Sequence, residues 1–234
     1  MTGPRVVNDC GIDHGPPALA LDPADLHTLS QAASLSLFVG RLNTAIEVRE
    51  YVAARDPMNA NNHGLLGWYY LRAGRLDEAI ASSRASLKLT PNAISTHFDI
   101  GVAMLHKGDR KAALAVMQQE PSKIWRQAGL ALAYHALGQA SASDAALAEL
   151  IRKHEKHFSS RIAWVFAYRG DADGAFEWLN KAVAYHDPDV VNFPNELLLR
   201  NLHDDPRWLP FLRKIGKAPE QLAAIQFELK LPQR

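Results

Sequence analysis

Residues 71–79 read LRAGRLDEA, and looser copies of the phrase stand upstream as LFVGRLNTA (37–45) and downstream as LHKGDRKAA (105–113). Its glycines, Gly40, Gly74 and Gly108, step by 34 residues (74 − 40 = 108 − 74 = 34), and the alanines Ala45, Ala79 and Ala113 keep the same step. So do the prolines Pro23, Pro57 and Pro91. A fixed period of that size marks a repeat array, in which one small unit is copied and stacked until a continuous core forms. Within the second unit His63, Leu66, Gly67 and Tyr70 recur at i, i+3, i+4 and i+7, one face of a helix that ends near Gly74. After the turn, Ala79, Ile80, Ser83, Leu87 and Leu89 carry a second helix as far as Pro91, which stops it. Gly67 and Ala79 allow the two helices to approach closely, and Gly74 supplies the permissive turn. Each unit is therefore expected to be a helical hairpin.

These residues resemble the tetratricopeptide repeats, whose 34-residue unit runs Trp-x2-Leu-Gly-x2-Tyr, then Ala-x3-Phe, then Pro. The second unit gives His63, Leu66, Gly67, Tyr70, Ala79, Ser83 and Pro91, departing at the Trp and Phe positions. The third gives His97, Ile100, Gly101, Met104, Ala113 and Met117, and the first is degenerate, with Ser36 where the family packs an aromatic ring. The resemblance implies an all-α fold, a right-handed α-α superhelix or solenoid. Pro121 comes 30 residues after Pro91 and Gly138 comes 30 after Gly108, so four residues are missing (34 − 30 = 4). That is about one helical turn, and it predicts a shortened second helix in the third unit. The fourth unit resumes with Leu130, Ala131, Tyr134 and Gly138, and the fifth with Ile162, Ala163, Phe166, Gly170 and Ala175. About five hairpins are expected over residues 24–187, within a solenoid of residues 18–192.

The ends are read separately. Residues 1–17, with three prolines, three glycines and no periodicity, are expected to be a disordered leader. Pro23 keeps the period, so residues 18–25 read either as the remnant of an earlier repeat or as an ordinary capping segment. Residues 193–234 are expected to form a helical cap and an extended tail. Pro194–Leu202 can form a short helix, and Trp208, Phe211, Leu212 and Ile215 form an apolar face that would close the stack over the fifth unit. From Ile225 the chain alternates, with Ile225, Phe227, Leu229 and Leu231 apolar and Gln226, Glu228 and Lys230 polar, the period of a strand. Three fates are open to it: an extended path in the protein's own groove, pairing with a second chain to give a homodimer, or continuation of a helix begun at Pro219.

Composition bounds the function. With 26 basic against 25 acidic residues the formal charge is +1, so there is no basic surplus for a phosphate backbone and no nucleic-acid partner is expected. No apolar run approaches the roughly 18 residues of a membrane span, the lone Cys10 cannot form an internal disulfide, and a cytoplasmic protein is expected. No phosphate-cradling glycine loop, Gly-x-Ser-x-Gly elbow or His-Glu-x-x-His helix occurs. The nearest metal-like run, HEKH at 154–157, falls at a junction between hairpins, and His63 and His97 replace packing tryptophans. Hence no catalytic residue, metal or cofactor is expected, and the chain is not read as an enzyme.

What remains is the groove. In each first helix a second stripe, offset from the packing face, should look into the concave surface. In the first unit it runs His27, Ser30 and Ser34 and ends in Leu37 and Phe38. Later it holds Trp68, Leu71 and Arg72; Phe98, Val102, Leu105 and His106; Trp125, Leu132 and His135; and Trp164 and Tyr168. One reading makes this a peptide-binding groove, with aromatic anchors and a protein or peptide partner. The other has superhelical curvature bury part of it. The family's clamp for a chaperone's terminal carboxylates uses Lys and Asn where Ser30, Ser34 and Trp68 stand, so that partner is not expected. The runs GLALAYHALG (129–138), SDAALAELI (143–151), RGDADGAFEWLNKAV (169–183) and HDDPRWLPFLRKIG (203–216) resemble the terminal repeat region of bacterial signalling proteins. There the array follows a class III nucleotide cyclase or a winged-helix transcription regulator. This implies service in signalling, or a regulatory fragment or subunit of such a protein.

Overall fold

The computed structural model describes residues 24–226 and Leu229. Ten helices form five successive hairpins. The first pairs α1 (Leu26–Phe38) with α2 (Leu42–Arg55), and the second pairs α3 (Ala60–Ala73) with α4 (Leu76–Leu89). The third pairs α5 (Thr96–His106) with α6 (Arg110–Met117), and the fourth pairs α7 (Lys123–Ala136) with α8 (Ala140–His154). The fifth pairs α9 (Ser159–Tyr168) with α10 (Ala172–Ala184). No strand occurs among the described residues. The fold is an α-α superhelix.

Every hairpin turns on the periodic glycine. Gly40, Gly74, Gly108, Gly138 and Gly170 all take positive φ, between 73° and 85°, where a side chain would strain the backbone. Asp109 and Asp171, immediately after two of these glycines, accept hydrogen bonds from the backbone N–H of Ala112 (3.2 Å) and Gly174 (2.9 Å), and so cap the helices they precede. The missing turn falls in α6, which has 8 residues against 14 in α4.

Packing explains the departures from the repeat pattern. A Cβ on Gly67 would stand 2.4 Å from Ser83 Oγ, 3.0 Å from Ser83 N and 3.1 Å from Ala79 O, so α3 and α4 touch backbone to backbone. No ring fits at position 83 in that space, and Ser83 is buried there. Ser36 is also buried and returns its hydroxyl to Ala32 O at 2.8 Å. Met117 takes the aromatic position in the third unit and packs against both Gly101 and Gly129, joining the third hairpin to the fourth. His97 is buried, as a substitute for the packing tryptophan should be, whereas His63 is half-buried with Nε2 2.8 Å from Pro57 O.

After α10 the chain turns back instead of adding a sixth hairpin. Two 3-10 segments, Pro188–Asn195 and Leu197–Leu202, replace the helix expected from Pro194, and lead to α11 (Trp208–Lys214) and α12 (Pro219–Ala223). Trp208 is buried: it stacks on His203 (4.8 Å between centroids) and meets Phe211, which lies edge-on to Phe176 of α10 at 6.3 Å. The return reaches the first hairpin. Lys217 Nζ donates to Phe38 O at 2.8 Å, and the Arg41 guanidinium donates to Ile225 O at 3.2 Å. Leu229 packs on Leu29, Ala33, Val48 and Val52. The helix begun at Pro219 stops at Ala223. The expectations for residues 1–17, for 18–23 of the remnant, and for tail residues 227, 228 and 230–234 lie outside the described residues.

Gly67→Ala should therefore destabilise the protein by about 1–3 kcal/mol, the range for overpacking a tight contact. Urea unfolding of the two proteins checks this, and equal midpoints would mean that α3 and α4 are not in backbone contact.

Candidate binding groove

The first helices of the five hairpins, α1, α3, α5, α7 and α9, line the concave face, and the C-terminal segment occupies part of it. Glu196 reaches Arg72 of α3 at 2.8 Å with both side chains buried, and Arg200 donates to Arg72 O at 2.8 Å. Asn201 donates to Ala167 O of α9. Asp187 accepts from Ser160 N at 3.0 Å, and Arg161 is ion-paired with Asp189. Residues 187–202 are thus tied to helices three hairpins apart. Leu197, Leu198, Leu199 and Leu202 are buried in the main core cluster.

That occupant decides the state of the aromatic stripe. Leu71, Arg72, Phe98, Val102, Leu105, Leu132 and Trp164 are buried. Phe98, Trp125 and Trp164 lie ring against ring, with centroids 5.0 and 6.1 Å apart along the series, and the Arg161 guanidinium stands 4.3 Å over Trp125. Trp125 and Tyr168 are half-buried; His106 and His135 are exposed, each edge-on to Tyr168. Trp68 is half-buried, with the Arg72 guanidinium over one face at 3.4 Å. Most of the stripe is buried, and the chain's own C-terminal segment is tied to α3 and α9 beside it. The sequence signal for this was the run ELLLRNL, in which Glu196 and Arg200 flank the leucines and match the polar groups around Arg72.

Two adjoining cavities remain open toward the N-terminal hairpins. One, of about 510 Å³, is lined by His27, Ser30, Ser34, Arg49 and Asn62 among others. Arg49 donates to Ser30 O (3.0 Å) and Ser34 Oγ (3.1 Å), which holds the wall of α1 in place. The other, of about 470 Å³, lies between α3 and the start of α5 and includes Asn61, Gly64, Trp68, Ser95, Thr96 and Asp99. Asn61 and Leu65 line both.

The start of α5 is unusual. Ser95 takes φ 66° and its side chain does not cap the helix. Instead the buried carboxylate of Glu120 accepts from Ser95 N at 3.1 Å and Phe98 N at 3.4 Å. The shortened α6 is what brings Glu120 back to this helix terminus, where a negative charge is favoured. One turn further on, the carboxyl of Asp99 is pushed up to about 8, chiefly by burial; Arg72 opposes the shift, and Glu196 and Glu120 add to it.

Among the described residues no helix is long and apolar enough to cross a membrane, and no group of three or more His, Cys, Asp or Glu is placed to hold a metal. His154, from the HEKH run, packs edge-on against Phe158.

Residues 31–94 match the tetratricopeptide repeat family. No curated protein matches the chain. Among solved structures, TTC0263, a thermophilic TPR protein of Thermus thermophilus, is 20% identical, with a TM-score of 0.54 over 71% of this chain and 86% of that one. PilW, a widely conserved type IV pilus biogenesis factor, is 19% identical, with a TM-score of 0.55 over 79% of this chain and 86% of that one. At these identities the likeness is one of fold.

Asp99 also makes a testable demand on stability. Its pKa is about 8 in the folded protein against an ordinary value of 3.8, so between those pH values the folded state keeps a proton that the unfolded state has lost. Asp99 therefore weakens the fold progressively as pH rises through that window. Asp99→Asn should gain stability relative to the parent as pH goes from about 5 to about 9, measured by melting temperature. A difference that stays constant or shrinks over that range would contradict the assignment.

Proposed function

We propose that this tetratricopeptide-repeat chain is a non-enzymatic protein-interaction module that takes a peptide or a helix on the open part of its concave face. One observation carries the reading. Residues 188–202 occupy part of the face, and beside them Trp68, half-exposed and braced by Arg72, lines one open cavity that adjoins a second through Asn61 and Leu65. A fixed aromatic with polar side chains around it is the composition of an interface anchor. Asn61, Asn62, Ser30 and Ser34 supply hydrogen-bonding groups for a peptide backbone in the same cavities. Leu71, Phe98, Leu105, Leu132 and Trp164 are buried in the core beneath the face, Trp125 and Tyr168 are half-buried, and His106 and His135 are exposed beside them. The near-neutral charge and the lone Cys10 favour a protein partner and a cytoplasmic setting. Service in bacterial signalling, or as a regulatory part of a cyclase or winged-helix regulator, rests on the resemblance of residues 129–216 to the repeat regions of such proteins.

The test is a panning of displayed peptides against the folded chain. Selected peptides should lose binding to Trp68→Ala with helical circular dichroism unchanged. Trp164→Ala should instead cost about 3–5 kcal/mol of stability, because its ring is part of the core. Peptides that bind Trp68→Ala as well as the parent would sink the reading.

A further inference from the structure

We infer that the cavity between α3 and α5 is a subsite for a cationic side chain of the partner, the alkyl ammonium of lysine or the guanidinium of arginine, with Asp99 as its counter-charge. The inference rests on the peptide-binding reading above and gives it a chemistry. Asp99 is 7% exposed and lines the cavity, yet its carboxyl accepts no hydrogen bond and enters no ion pair among the described residues. Unpartnered ionised carboxylates are not stable in such surroundings, so the group is either neutral or paired.

The charges around it are already committed. Arg72 on α3 is bonded to Glu196 at 2.8 Å and stacked on Trp68, so that pair cancels. Arg161 on α9 is held by Asp189, with Asp187 at 3.9 Å. Glu120 is spent on the backbone N–H groups that open α5. Asp99 is the carboxyl in this set with neither cation nor donor, and a ligand cation would supply both. The walls suit the rest of such a side chain. Leu65, Ala93 and Ile94 offer apolar contact to a methylene stem, and Ile94 is exposed, at 65%. Ser86, Thr90, Ser95 and Thr96 offer hydroxyl oxygens to the remaining N–H donors. Gly64 keeps the cavity open, since a Cβ there would stand 3.2 Å from Ser86 Oγ and 4.0 Å from Thr96 Oγ1.

Burial keeps Asp99 protonated at neutral pH while the cavity is empty, so entry of a cation drives its proton to solvent. Binding is then coupled to release of one proton, which a purely apolar pocket would not show.

The probes are butylguanidinium, its neutral isostere butylurea, and N-acetylarginine methylamide, titrated calorimetrically at neutral pH in buffers of different ionisation enthalpy. Butylguanidinium and the arginine derivative should bind with release of up to about one proton, butylurea should bind at least tenfold more weakly, and Asp99→Asn should abolish the difference. Butylurea binding as well as butylguanidinium, or an Asp99→Asn protein that binds both as the parent does, would overturn the proposal. So would binding of butylguanidinium with exclusion of the arginine derivative, which would assign the site to a free small cation. Asp99→Asn should fold, since it replaces a carboxyl that is already neutral in the empty cavity with an uncharged group of the same shape, and circular dichroism checks that it does. The two readings separate cleanly in a further arm. Panned peptides that need Trp68 but ignore Asp99→Asn overturn the cation subsite and leave the interaction module; cation binding through Asp99 with no peptide binding does the reverse.

Discussion

Arg72 and Glu196 stand 124 residues apart in the chain and 2.8 Å apart in the fold, buried inside the concave face. Removing one partner of such a pair typically costs about 3–5 kcal/mol, because the other is left charged and desolvated. Much of the molecule depends on that contact. It fixes the C-terminal return against the second hairpin, and Asn201 on Ala167 O fixes it against the fifth. Between those ties Leu197, Leu198, Leu199 and Leu202 are buried in the same core cluster as the apolar residues of the first helices. A solenoid of this kind must close its ends. Here one segment closes the C-terminal end with Trp208 and Phe211 and fills the groove on its way back to the first hairpin.

The same contact shapes the open part of the face. Arg72 is shared between Glu196 and the Trp68 ring, which leaves Asp99 near a cation but not bonded to it. The shortened α6 adds a second effect, bringing Glu120 to the start of α5 as a fixed negative charge. A deletion of one helical turn in one hairpin and an ion pair to the distant C-terminal segment together produce an electrostatically unbalanced cavity beside an aromatic wall.

The repeat was legible because its signals are local. Gly74 in a left-handed turn, Gly67 against the backbone of Ser83, and the helix ends before Pro57 and Pro91 follow from spacing and steric rules that act within one hairpin. The state of the groove was not legible. Trp68 and Trp164 occupy equivalent places in the pattern, yet Trp68 is half-buried while Trp164 is buried against Phe98 and Trp125, contacts between segments far apart in sequence. Pro194–Leu202 showed its apolar character in the sequence, but its destination depends on Glu196 finding Arg72. Asp99 is silent in the sequence for a similar reason: a single aspartate in an apolar helix carries no motif, and only its place in the wall of a cavity with no bonded partner marks it out.

If the proposed reading holds, residues 188–202 stay in the concave floor while a partner binds beside them, on the second hairpin and the start of α5. Backbone hydrogen exchange, read by mass spectrometry with and without a saturating panned peptide, tests it most directly. Increased protection is expected at Asn61–Trp68 and Ser95–Asp99, with Leu197–Leu202 equally protected in both states. Loss of protection in Leu197–Leu202 on peptide binding, with new protection around Leu132 and Trp164, would contradict it and make the C-terminal segment a displaceable occupant of the whole groove.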